Sequence, residues 1–302
     1  MYINKSVNLT RIIADSRRQL LLLLVVVTAT TTLYLEVLLP YLSVAPAMVS
    51  ALGAAISLFI AFFTAQAYDR WWEARKIWGT FVNDSRSFGR MVMTLFGKPD
   101  GERGVTALQD RLVRRHIAYL YAVKEHLRRE TDRGYLAYLS AEDGDRIREL
   151  RHPANGLLHL QGEDIDKAER DGLLDVIRMA QFNDMLSRFS TSMGMAERIK
   201  TTVFPPYYAS MIRVAIWALV VEFPLALSDD AGYRAIVYSF LVGSILLLVF
   251  RMAEALLNPF EGKPADTPMS SIIRTIEINL LEQVGEKDIP APLEPIDGRY
   301  LL

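Results

Sequence analysis

The chain has 302 residues, 51% of them hydrophobic, and a formal net charge of −1. Its mean hydropathy is +0.16, and a water-soluble protein rarely combines that value with long uncharged runs. The near-zero charge offers no bulk attraction for nucleic acid, and the absence of cysteine excludes disulfides, thiolate metal sites and cysteine catalysis.

Residues 1–19 read as a cytosolic N-terminal segment carrying Lys5, Arg11, Arg17 and Arg18. It is not expected to be a cleavable leader. The apolar stretch begins late, lacks an A-x-A site soon after it, and is followed by a second apolar run. Residues 20–68 are expected to hold the first two membrane spans, over Leu20–Leu39 and Pro46–Tyr68. From Val37 to Tyr68 there are 32 residues without Asp, Glu, Lys, Arg or His. About 20 apolar residues suffice to cross a ~30 Å hydrocarbon core. The run ends abruptly at Asp69-Arg70-Trp71-Trp72-Glu73, where charge and tryptophan mark contact with water. Arg70, Trp71 and Trp72 are expected to anchor that interface and to fix a bend in the chain. Ala54, Leu58 and Phe62 fall one above another on a helix face. Small residues, among them Gly53, Ala55, Ala61 and Ala65, let neighbouring helices approach closely. Such a face can pack inside a bundle. Alternatively, several copies can ring an axis and form an apolar constriction that gates ions by dewetting.

Residues 69–206 read as a cytosolic helical domain. They carry 23 Lys+Arg against 21 Asp+Glu, a mixed-charge bundle and not a nucleic-acid patch. The second span should continue as a helix to Phe96, ending at the turn cluster Gly97-Lys98-Pro99-Asp100-Gly101. Leu108, Leu112, Leu120, Val123 and Leu127 recur at helical spacing. Residues 133–158 should form shorter helices broken at Gly144 and Pro153. Residues 171–200 should form a long amphipathic helix with Leu174, Ile177, Met185, Phe189 and Met193 on one side. Residues 207–257 are expected to hold the third and fourth spans, over Tyr207–Leu227 and Tyr233–Leu257. Residues 258–302 are expected to be a cytosolic tail with one helix over Ser271–Val284. Lys and Arg precede the first span and follow the second, whereas the loops Tyr41–Ala45 and Ser228–Gly232 have none, so both termini and the middle region are expected in the cytoplasm and the spans in the inner membrane. Glu36, Arg213, Glu222 and Arg251 lie near span ends, where a structural role is expected.

The sequence carries little that suits catalytic chemistry. There is no H-E-x-x-H, P-loop or G-x-G-x-x-G. His116, His126, His152 and His159 read as ordinary polar-face histidines, with His116 and His126 too far apart to stack on one helix. Glu163-Asp164 and Asp229-Asp230 read as loop or helix-end charges. No metal site, cofactor or enzymatic activity is expected.

The run Tyr68-Asp69-Arg70-Trp71-Trp72-Glu73-Ala74-Arg75-Lys76-Ile77-Trp78-Gly79 resembles the bestrophin family, specifically its prokaryotic branch. Glu254-Ala255-Leu256-Leu257-Asn258-Pro259-Phe260 and Arg274-Thr275-Ile276-Glu277-Ile278-Asn279-Leu280 match it as well. The resemblance implies an all-α integral membrane protein with four transmembrane helices per subunit and a helical cytosolic domain, assembled as a homopentameric ring in lipid. It implies a monovalent-ion channel, for chloride or other anions by family likeness. The neck would fall on Ala54, Leu58 and Phe62, with a cytosolic aperture at Phe204 and Pro205. Ala54 is smaller than the residue usual there, which implies a wider constriction at that level. The acid run that clasps calcium in animal members reads Glu261-Gly262-Lys263-Pro264-Ala265-Asp266 here, so no calcium activation is expected. Two rivals stay open: a cation channel of the same fold, and a membrane-anchored scaffold without conductance.

Overall fold

The structure is a computed structural model that describes residues 1, 9–39, 41–42, 44–97 and 106–302. Lys5 and the turn residues Lys98, Pro99, Asp100 and Gly101 lie outside the described residues. Regular structure among the described residues is helical: α1 (Leu9–Leu33), α2 (Pro46–Leu95), α3 (Ala107–Arg128), α4 (Ala141–Arg148), α5 (Pro153–Arg170), α6 (Val176–Thr201), α7 (Pro206–Ala231), α8 (Ala235–Leu256) and α9 (Met269–Val284). The chain divides into two compact units. One contains Met1, Trp71–Thr202 and Asn258–Leu302, and the other contains the described residues from Leu9 to Arg70 together with Val203–Leu257.

The second of these units is built from apolar helices. Ile13–Leu38, Pro46–Leu95 and Pro206–Leu256 are each long and apolar enough to cross a membrane. The last of these stretches holds both α7 and α8, separated only by the 3-10 turn Gly232–Arg234. Helix α1 continues past Leu33 as a π-helical turn, Tyr34–Leu38. There the buried Tyr34 hydroxyl donates to Asp229 at 2.8 Å and to the Leu42 carbonyl at 3.1 Å. Leu23 and Val27 of α1 join Ile212, Ile216, Leu219 and Phe250 in a shared core. Gly243 of α8 allows this packing, because a Cβ there would lie 2.8 Å from Leu23 Cδ1. Pro224 sits inside α7 without ending it. The hydroxyl of Ser228 donates to the Pro224 carbonyl at 2.6 Å, so that polar group stays satisfied in an apolar setting.

The unit with Trp71 is packed as a water-soluble domain would be. Trp78, Phe81, Phe88 and Val92 of α2 join Leu112, Ile117, Leu120 and Val123 of α3 in one core, closed by Phe182 and Phe189 of α6. A capping box starts α3, with Thr106 and Gln109 bonding reciprocally. Arg115 is buried and ties three elements together. Its guanidinium donates to Asp143 at 2.7 Å, to Asp164 at 2.8 Å and to the Leu160 carbonyl at 2.8 Å. Helix α9 is held by Glu277, which accepts from Tyr121 at 2.8 Å and from Tyr138 at 2.5 Å.

Several sequence expectations change. Gly144 does not break a helix but sits buried inside α4. The break falls after Arg148, and Pro153 then opens α5 at a position where its missing N–H costs nothing. Helix α6 starts at Val176 on the Asp175 cap, later than expected, and Ile177 is exposed because it lies on the opposite side of the helix from the buried Phe182 and Phe189. Helix α2 runs uninterrupted through Arg70–Trp72, being assigned over 50 residues.

Candidate ion pathway

Within its apolar unit, α2 has two faces. Ile56, Ile60, Phe63 and Ala67 recur at helical spacing and are buried against α7 and α8 residues. Ala54, Leu58 and Phe62 lie on a different face and are exposed, Leu58 at 55% and Phe62 at 58%. The structure therefore brings the three predicted neck residues onto one open apolar stripe. That stripe has no charged side chain. Its hydroxyl neighbours are internally satisfied, because Ser57 donates to the Gly53 carbonyl at 2.8 Å and Thr64 to that of Ile60 at 2.7 Å.

Phe63 is the largest side chain on the buried face. Its ring meets Phe250 at 5.1 Å, Tyr208 at 6.1 Å and Phe204 edge-on at 5.4 Å. Phe204 is half-buried and Pro205 is exposed. Both precede a proline, which disfavours the α conformation and keeps this short segment outside α6 and α7. Pro205 caps α7 and Pro206 occupies its first turn. The Phe204 ring is thus held in place by aromatic edges, not by hydrogen bonds.

Arg213, Glu254, Arg251 and Glu36 of this unit find partners on neighbouring elements. Arg213 pairs with Glu254. Arg251 donates to Ser16 at 2.9 Å, and Tyr233 donates to Glu36 at 2.5 Å. In the other unit, the Trp71 indole N–H donates to the Ala265 carbonyl at 2.8 Å, with the Trp72 ring 6.2 Å from that of Trp71. Trp71 therefore fastens α2 to the segment after Asn258, a role its sequence position gave no sign of.

In the stretch after Asn258, Glu261 and one oxygen of Asp266 have local partners. Glu261 binds Lys200 at 2.7 Å. Asp266 accepts from the backbone N–H groups of Glu261 at 2.6 Å and Lys263 at 3.0 Å.

One histidine expectation is corrected. His116 is not on a polar face but fully buried, with its ring 4.9 Å from Phe88 and 4.4 Å from Phe189. Its Nε2 meets the Ser85 hydroxyl at 2.9 Å, and burial pushes its pKa down to about 3. The clue was present: His116 falls midway between Leu112 and Leu120 on the apolar stripe of α3. His126 is exposed and has a histidine neighbour. Its ring lies 4.6 Å from His152, and both face Glu197. Spacing could not reveal this, because the three residues come from α3, the start of α5, and α6.

The family model of bacterial and fungal bestrophin proteins matches residues 6–282. The voltage-dependent anion channel-forming protein YneE of Escherichia coli is 33% identical over 254 residues, covering 84% of this chain and 81% of that protein. The voltage-dependent anion channel-forming protein RSc3414 of Ralstonia nicotianae is 29% identical over 245 residues, covering 80% and 78%. A solved bacterial bestrophin homolog from Klebsiella pneumoniae superimposes with a TM-score of 0.81 at 27% identity, covering 88% of this chain and 97% of that one.

Proposed function

The chain belongs to the bestrophin family, a family of channels and not of enzymes, and from that premise we propose that five copies form a ring that conducts monovalent anions. The observation that carries this reading is the exposed, uncharged stripe of Ala54, Leu58 and Phe62, which faces away from the chain's own core. Helices α1, α7 and α8 cannot enclose a continuous hole by themselves. In the ring, the first part of α2 from each copy lines the axis, and the stripe forms the neck. Phe204 and Pro205 form a second constriction on the cytosolic side. The protein sits in the inner membrane with both termini, residues 69–206 and residues 258–302 in the cytoplasm.

An uncharged neck does not select by Coulomb attraction. Selection comes from the cost of stripping water and from the groups that replace it. A ring of phenylalanine edges presents partial positive charge, which favours an anion. The relatives named as anion channels support the same sign. With Glu261 and Asp266 engaged by Lys200 and by backbone amides, calcium is not expected to switch the channel.

The test is purified protein in a planar bilayer under a sodium chloride gradient, with a calcium chelator on both sides. A reversal potential near the chloride equilibrium value supports the reading. A value near that of sodium replaces it with cation conduction. Currents that emerge only after calcium is added contradict the calcium expectation. Native mass in mild detergent tests the ring, for which five chains are expected.

A further inference from the structure

We propose that His126, His152 and Glu197 form a binding site for a divalent transition metal of the zinc class. The proposal concerns the unit with Trp71 and does not depend on the channel reading.

The three side chains come from separate helices and converge. His152 Nε2 lies 2.7 Å from Glu197 Oε1, and His126 Nε2 lies 3.6 Å from the same oxygen. One ligand atom from each residue lies within 4.8 Å of the other two. Tetrahedral zinc with bonds of about 2.0–2.2 Å needs its ligand atoms roughly 3.4 Å apart. Small rotations of side chains that are a quarter to two-fifths exposed supply that spacing. Two imidazoles and one carboxylate form a complete three-ligand set for zinc, with water in the fourth position. The set suits calcium and magnesium poorly, because those ions prefer oxygen ligands throughout. The partial exposure also gives an ion a route in from solvent.

One bond must be exchanged. His152 Nδ1 accepts the Asn155 N–H at 3.2 Å and caps α5, so the metal-free ring carries its proton on Nε2, facing Glu197. A metal at Nε2 moves that proton to Nδ1. The cap is then lost at a cost of about 1 kcal/mol, a small term beside a transition-metal site. Glu197 changes from hydrogen-bond acceptor to ligand with little movement. Nearby His159 serves as a control, because it is largely exposed and faces Glu163 instead.

The experiment uses the full chain, free of any affinity tag, stripped with a chelator and titrated with cobalt(II), then with zinc. One cobalt per chain is expected, with the intense visible bands of a four- or five-coordinate nitrogen and oxygen site, displaced by zinc. His126→Gln and His152→Asn should each weaken binding at least tenfold, and Asn at 152 retains a good helix cap. Glu197→Gln should also weaken it, and His159→Gln should leave it unchanged. The proposal is overturned if the cobalt spectrum stays that of the aqueous ion, or if the variants bind as the parent does. Should a variant fail to fold, zinc-edge anomalous diffraction from the unaltered protein decides. A peak beside these three residues supports the site, and a zinc-soaked crystal without one overturns it.

Discussion

The two parts of α2 on either side of Arg70 and Trp71 both carry large apolar side chains, but in opposite surroundings. After Trp71 the helix buries Trp78, Phe81, Phe88 and Val92 completely. Before Arg70 it leaves Leu58, Phe59 and Phe62 at half exposure or more. Water would penalise that second arrangement by roughly 25 cal/mol for each Å² of apolar surface. The contrast teaches that one part is finished by its own chain, whereas the other needs lipid, further copies or a narrow ion path to complete its surroundings.

Substitutions can break this contrast or sharpen it. The largest effect is expected from Phe88→Ala, which empties a site between His116, Phe182 and Phe189. It should cost about 3–5 kcal/mol, read from thermal or denaturant unfolding of the detergent-solubilised protein. A loss under ~1 kcal/mol would contradict the packing described for that part.

Acid should act on the same core. Below about pH 6.5 the unfolded chain takes up a proton at His116 that the folded chain refuses until about pH 3. Stability should therefore fall with pH across that window, by an amount on the order of a few kcal/mol. His116→Gln should flatten the slope when melting is followed from pH 7 to pH 4. An unchanged slope would place the acid sensitivity elsewhere.

A smaller loss, about 1–3 kcal/mol, is expected from Gly243→Ala, because the new methyl group meets Leu23 Cδ1 at 2.8 Å. That result would show that the apolar unit has a tight interior despite its open outer face. The smallest change in stability, within about 0.5 kcal/mol, is expected from Phe62→Ala. Its effect should appear in single-channel current, which should rise as the neck widens. A folding loss as large as that of Phe88→Ala would show that Phe62 is core and not pore.

Much of the architecture was legible because it follows from simple patterns. The apolar runs need a membrane, and the stripe Leu112, Leu120, Val123, Leu127 has helical period. The family resemblance rested on specific stretches such as Arg70-Trp71-Trp72. The candidate neck was legible for the same reason, since Ala54, Leu58 and Phe62 belong to one helix. What escaped was tertiary. The burial of His116 was masked by Arg115 beside it, whose own burial depends on Asp143 and Asp164 from other helices. The grouping of His126, His152 and Glu197 depends on how α3, α5 and α6 pack, which no local spacing encodes. The bond from Trp71 to the Ala265 carbonyl escaped because that acceptor belongs to a distant part of the chain.

The absence of native cysteine permits a background-free test of which face of α2 meets the permeant ions. Leu58→Cys, Phe62→Cys and Ile60→Cys channels would be exposed to a charged, water-soluble thiol reagent during recording. The account predicts that current through the Leu58→Cys and Phe62→Cys channels changes on modification, while the Ile60→Cys channel is unaffected. Modification of Ile60→Cys with both other positions silent would contradict it.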